Sequence, residues 1–133
     1  MKEKEYSLPV DDFGIHLAAD AGVQYRTYQP LINQALLSGK EWAKVLHISE
    51  RTLQRIREEK RPLDTDASER LLEINRLVDF GIEMFGSAAN MRNYLNRPVI
   101  VFGHRAPKDM LSTLSGIRMV YNEIGRIAHG IFA

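Results

Sequence analysis

Between positions 49 and 58 the chain sets out Ser49, Glu50, Arg51, Gln54, Arg55 and Glu58 at a spacing that turns all six outward from a short helix. Arg51 and Arg55, four apart, would share one groove of a duplex, where an arginine can grip a guanine edge through two hydrogen bonds. This is the layout of a recognition helix, whose N-terminal residues reach base edges in the major groove. Arg51, Gln54 and Arg55 are the candidate base contacts, with Ser49, Arg57, Lys60 and Arg61 nearer phosphate. An amphipathic hairpin with a solvated charged face is the plainer reading, and local charge weighs against it. From Lys40 to Arg61, seven basic residues face four acidic ones, an excess of +3 in a chain whose total is +1. The excess falls where phosphates would lie.

Other chemistry finds little support. The histidines His16, His47, His104 and His129 are dispersed, and with no cysteine in the chain neither a thiolate metal site nor a disulfide is possible. No Gly-x-Ser-x-Gly elbow and no phosphate-binding glycine loop occurs. Asp11 and Asp12 sit in a weakly patterned stretch and are expected to be solvated. The chain is read as a binding protein, without a cofactor and without enzyme activity.

A recognition helix needs support. Glu41–Arg61 reads as two short helices with a tight turn: small Ala43 at the crossing, Ile48 and Leu53 wedged against the first helix, and Ser49 as N-cap of the second. His47 stands where such a turn usually has Gly, which requires a left-handed or strained backbone. A supporting helix is expected from Pro30 through Leu31, Ile32, Ala35 and Leu36, ended by Ser38 and Gly39. Pro9, Gly14 and Gly22 break the polar stretch before it, so residues 1–29 are expected to form an N-terminal arm. Trp42 is assigned to core or rim packing.

After Pro62, Asp66-x-x-Glu69 resembles a capping box for a helix carrying Leu71 through Phe85. Past Leu77 its apolar residues wrap most of the circumference, consistent with a central core helix or with one shared between subunits. Gly86 can end it, and Ser87 can cap a helix from Ala88 to about Asn96. Val99–Phe102 is apolar and strand-like, too short to decide. Gly103–Pro107 is a loop, Pro107 opens a short turn, and Thr113 caps a last helix from about Leu114 to Ala128. Gly130 is expected to stop it, leaving Ile131, Phe132 and Ala133 as an apolar tail that folds back or inserts into a partner.

Composition fits one compact domain or two small ones: 133 residues, 44% hydrophobic and 26% charged. No apolar run approaches the roughly 18 residues that cross a bilayer, and the N-terminus has no apolar signal core. A cytoplasmic protein without membrane contact is expected. Charge is segmented. Residues 1–39 carry −2, residues 64–86 carry −4 and residues 87–133 carry +4, which suggests distinct surfaces for distinct partners.

The order of motifs resembles the Xre/ParS/MbcA antitoxins, partners of RES-domain toxins. The resemblance rests on Leu46-His47-Ile48-Ser49-x-x-Thr52-Leu53-x-Arg55, Phe85-Gly86-Ser87, Tyr94-Leu95-x-x-Pro98 and Gly103-His104-x-Ala106-Pro107. Leu111-x-Thr113-x-x-Gly116 and Arg126-Ile127-x-His129-Gly130-Ile131-Phe132-Ala133 complete it. It covers roughly residues 30 to 133. Two departures stand out: His47 for the turn Gly, and no Ala and Trp within Asn90–Tyr94. The resemblance implies an all-helical homodimer, with a helix-turn-helix DNA-binding domain over residues 30–62 and a dimerisation and toxin-binding domain over residues 63–133. It further implies that the C-terminal part plugs the cleft of a toxin that degrades NAD or uses it for ADP-ribosylation. The first part would bind operator DNA and repress the chain's own operon. Contacts to the toxin would then come from His104, Arg105, Arg126, His129, Gly130, Ile131, Phe132 and Ala133. A helix-turn-helix repressor without a toxin partner is the alternative.

Overall fold

The computed structural model describes residues 8–34 and 36–132, the last two by their backbone alone. Ala35, Ala133 and the first seven residues of the expected arm lie outside the described residues, as do the side chains of Ile131 and Phe132. Every regular element among the described residues is helical, and the chain divides into two compact units that meet between Asn75 and Arg76.

In the first unit, α1 runs Asp12–Ala21, α2 Tyr25–Asn33, α3 Gly39–Leu46 and α4 Glu50–Glu58. The first half of α5, which spans Thr65–Phe85, completes it. The expected arm is therefore corrected over most of its length. Asp11 Oδ1 accepts the amide of Gly14 at 2.7 Å and starts α1, and Ile15 and Ala19, four apart, are buried. Apolar Phe13 and Leu17 face solvent instead, at 70% and 53% exposure, which blurs the periodicity of so short a helix. Gly22, at φ +87°, turns the chain where a Cβ would lie 2.9 Å from the Leu63 carbonyl. Val23 is then tied to the residues around the start of α5: the Leu63 amide donates to the Val23 carbonyl at 2.9 Å, and the Val23 amide donates to the Ser68 side-chain Oγ at 2.9 Å.

The supporting helix begins five residues before Pro30, which lies inside α2 rather than in its first turn. Burial of Tyr28, Leu31 and Ile32 on one side outweighs the lost amide. Tyr28 is fully buried and its hydroxyl donates to the Arg61 carbonyl at 2.7 Å. Ser38 and Gly39 do not end α2; they open α3. The Glu41 amide donates to Ser38 Oγ at 3.1 Å and the Ser38 amide to Glu41 Oε1 at 2.8 Å, a reciprocal capping box. The cap of α5 is likewise two residues earlier than expected. Asp64 Oδ1, not Asp66, accepts the Ala67 amide, at 2.9 Å.

The second unit holds the rest of α5, then α6 (Ala88–Leu95), two 3-10 turns (Ile100–Phe102 and Pro107–Met110) and α7 (Leu114–Phe132). Gly86 at φ +92° closes α5, and Ser87 Oγ caps α6 through the Asn90 amide at 3.1 Å. Met91 fills the space that Gly81 leaves open, and Phe80 stacks on Tyr121 with ring centroids 4.4 Å apart. The second 3-10 turn packs against α6 and α7, so closely that the Met110 carbonyl occupies the place of a Cβ on Gly116. Ile117, Val120, Ile124 and Ala128 form the buried stripe of α7. Gly130 does not stop that helix, which continues to Phe132. Glycine in a last turn costs about 1 kcal/mol, too little to end a packed helix by itself.

Candidate nucleic-acid and partner interfaces

α3 and α4 form the expected pair. The turn between them places His47 in the left-handed region, φ 62° and ψ 38°, and the Ile48 amide closes it on the Ala43 carbonyl at 3.1 Å. Trp42, Ala43, Val45 and Leu46 of α3 and Leu53 of α4 are buried, so the apolar side of the hairpin is covered within the first unit. Trp42 is core, with its indole N–H unpartnered. Ser49 Oγ accepts the Thr52 amide at 3.0 Å and donates to Thr52 Oγ1 at 2.9 Å. That hydroxyl is thus engaged in starting α4.

Arg51, Gln54 and Arg55 stand exposed on α4, as do Glu50 and Glu58. Gln54 Nε2 donates to Glu58 Oε2 at 3.3 Å, one helical turn on. Lys60, at φ +54°, follows the helix with its ammonium 6.0 Å from the centroid of the Tyr25 ring, and exposed Arg61 pairs with Glu59 at 2.9 Å. Arg57 is placed differently from the others. It is half-buried, its Nε donating to Gln29 Oε1 at 3.0 Å and its Nη2 to Asn33 Oδ1 at 3.2 Å, so it clips α4 to α2. Sequence reasoning did not pick out Gln29, Asn33 or Tyr28 as supports, because polar residues on a helix give no sign of a partner some two dozen positions away. Burial, and then the neighbouring Tyr25, hold the Tyr28 hydroxyl above its ordinary range, so it remains a donor to the Arg61 carbonyl.

In the second unit, His104 and Arg105 lie exposed in a closed loop, where Val99 and Arg105 pair as an isolated antiparallel bridge. His104 adopts φ 65°, an unusual backbone for a residue with a Cβ. Arg126, His129 and Gly130 are exposed on α7, and Arg126 Nε donates to Glu123 Oε1 at 2.9 Å. That bond holds the Arg126 guanidinium above its usual range. Beneath them Tyr94 is buried with its hydroxyl unpartnered, and burial, with Glu123 adding to it, pushes its pKa up to about 12. Ile100 and Val101 were missed as surface residues. The apolar run, strand-like in composition but too short to decide from sequence, forms a 3-10 turn that leaves both exposed, at 77% and 59%.

Among the described residues no group of three or more His, Asp or Glu side chains could hold a metal ion, and no helix is long and apolar enough to cross a membrane.

Two family profiles match the chain. Residues 14–76 match the antitoxin Xre-like helix-turn-helix domain, and residues 81–130 match the antitoxin Xre/MbcA/ParS C-terminal toxin-binding domain. Three relatives are each named antitoxin Xre. That of Yersinia enterocolitica is 31% identical over 87 residues, 65% of this chain and 59% of the relative. That of Photorhabdus laumondii is 37% identical over 67 residues, 50% of this chain and 45% of the relative. That of Pseudomonas putida is 28% identical over 119 residues, 90% of this chain and 74% of the relative. The chain thus spans about half the length of the first two relatives.

Proposed function

The chain belongs to the Xre/MbcA/ParS antitoxins, a family of non-enzymatic proteins, and from that premise we propose that it neutralises a RES-type toxin and represses its own operon. The observation that carries this reading is the coincidence of two compact units with two domain profiles, one for a helix-turn-helix and one for toxin binding. α4 enters the major groove of operator DNA, with Arg51, Gln54 and Arg55 at base edges and Lys60 and Arg61 at phosphates. Ser49 starts α4, and Arg57 holds it in place.

The second unit covers the NAD site of the toxin, whether that toxin degrades NAD or transfers ADP-ribose. His104, Arg105, Arg126, His129 and residues 130–133 make the contact. The positive charge of Arg105, with that of Arg126 beside its partner Glu123, suits a cleft that otherwise receives an anionic dinucleotide. The protein acts in the cytoplasm, where both operator and NAD are found. Half-buried Phe80, Ile82, Met84 and Phe85 on α5 leave some apolar surface that a homodimer would cover, and a two-fold dimer would require pseudo-palindromic half-sites about 34 Å apart or a multiple of that.

The test is co-expression with the neighbouring reading frame. NAD should fall when that frame is expressed alone and recover when this chain joins it, and the purified chain should shift its own promoter fragment in a salt-sensitive way. Unchanged NAD in the first strain would remove the toxin reading. A promoter fragment that never shifts would remove the repressor.

A further inference from the structure

Ile100 is the most exposed large apolar residue among those described, and Val101 stands beside it. The turn that carries them cannot fold them inward. The amides of Phe102 and His104 both bond to the Val99 carbonyl at 3.0 Å, Gly103 bonds to the Ile100 carbonyl at 2.9 Å, and Val99 donates to the Arg105 carbonyl at 3.1 Å. Gly103 and His104 are both left-handed, and buried Phe102 and Pro107 root the loop in the second unit. With its turn closed by backbone bonds on both sides and its flanks anchored, the tip is held as a knob. β-Branched side chains have few rotamers to lose on docking, so such a knob is pre-organised for a partner.

Charge indicates the kind of partner. From Arg97 to Asp109 there are three basic residues, Arg97, Arg105 and Lys108, against one acidic residue, Asp109, a local excess of +2. An apolar tip carried by a basic stretch of chain, with Arg105 in the same loop, matches an apolar depression rimmed by carboxylates. A second copy of the chain fits poorly, because a two-fold contact through the tip would set each Arg105 against its counterpart. The loop lies within the stretch that matches a toxin-binding domain. We propose that Ile100 and Val101 are the apolar anchor by which this chain selects its toxin, seated in a carboxylate-rimmed pocket on that protein. The proposal rests on the toxin-binding reading above and adds a determinant that the charged residues and the C-terminal segment do not supply.

The experiment measures the affinity of the full-length chain for the purified product of the neighbouring toxin gene, using the Ile100→Ser/Val101→Ser double variant. Binding should weaken by about tenfold or more, with the helical circular dichroism, the melting temperature and promoter binding unchanged. Val101→Thr, nearly the same shape, guards against a folding defect and should weaken binding in the same direction by a smaller factor. Arg105→Glu should weaken it further and reduce its dependence on salt. A double variant that binds within twofold of the parent overturns the proposal while leaving toxin binding intact. A parent chain that does not bind the toxin overturns both. Loss of self-association, or of binding to phosphatidylglycerol vesicles, with toxin affinity intact would assign the knob to another occupant and equally overturn it.

Discussion

Arg57→Ala separates two roles that a basic residue on a DNA-binding helix can play. In the structure its guanidinium spans from α4 to Gln29 and Asn33 of α2, through bonds of 3.0 and 3.2 Å. A hydrogen bond from a charged donor is worth about 1.5–3 kcal/mol when buried, and partial exposure lowers this, so the two together should contribute about 1–2 kcal/mol. The urea midpoint of the variant should fall accordingly. Promoter affinity should also fall, because α4 loses one of its fixings, but the plot of log affinity against log salt should keep its slope. A phosphate contact behaves otherwise: each one lost flattens the slope by about 0.9. Lys60→Ala is the reference for that behaviour. Fluorescence anisotropy on a promoter duplex, from roughly 50 to 200 mM salt, distinguishes the two. If Arg57→Ala flattens the slope as Lys60→Ala does and leaves the urea midpoint unchanged, the clip is not the role of this residue.

His47→Gly should raise stability by about 0.5–1 kcal/mol, since glycine takes the left-handed turn without the steric cost that His47 bears at φ 62°; a fall in the urea midpoint would mean that the imidazole contributes more than the strain costs. Gly116→Ala should lower stability by about 3 kcal/mol or more, because the Met110 carbonyl fills the place of the new methyl; an unchanged melting temperature would contradict that packing. Tyr94→Phe removes a buried hydroxyl that has no partner and should be neutral or stabilising by about 1 kcal/mol. The same variant tests a pH effect. The pKa of Tyr94 is about 12 folded, against the ordinary 10.0 when unfolded, so the unfolded chain releases its proton first and stability falls as pH rises through that window. Tyr94→Phe should flatten that fall, and an unaltered alkaline profile would assign it to other groups.

The sequence disclosed the features that depend on near neighbours. Ser49 as a cap, the left-handed His47, Gly86 and Ser87 between α5 and α6, and Thr113 at the head of α7 each involve residues within a turn of one another. The structure bears them out. Where reading failed, a distant contact had decided the outcome. α1 looked like an arm because only Ile15 and Ala19 are buried, and Val23 and Ser68, which tie its end to α5, are 45 positions apart. Pro30 looked like a helix start because nothing local reveals that Tyr28 reaches Arg61. The recognition helix was legible as a set of exposed side chains, whereas the engagement of Arg57 by α2 was not. In the second unit Ile100 and Val101 were visible as apolar residues, but their outward direction follows from a turn that Gly103 and Arg105 complete.

The loop from Val99 to Arg105 keeps its shape through backbone bonds, a bond from the Arg105 guanidinium to the Phe102 carbonyl and two buried anchors, and the exposed side chains of Ile100 and Val101 make none of these bonds. Positions 100 and 101 are therefore insulated from the folding of the unit. Substitutions there are nearly free of selection for stability, so a lineage can exchange them while every core residue stays the same. Duplicated copies in one genome could drift apart at these two sites first. Pairs that share a fold would then stop cross-reacting long before their cores had diverged.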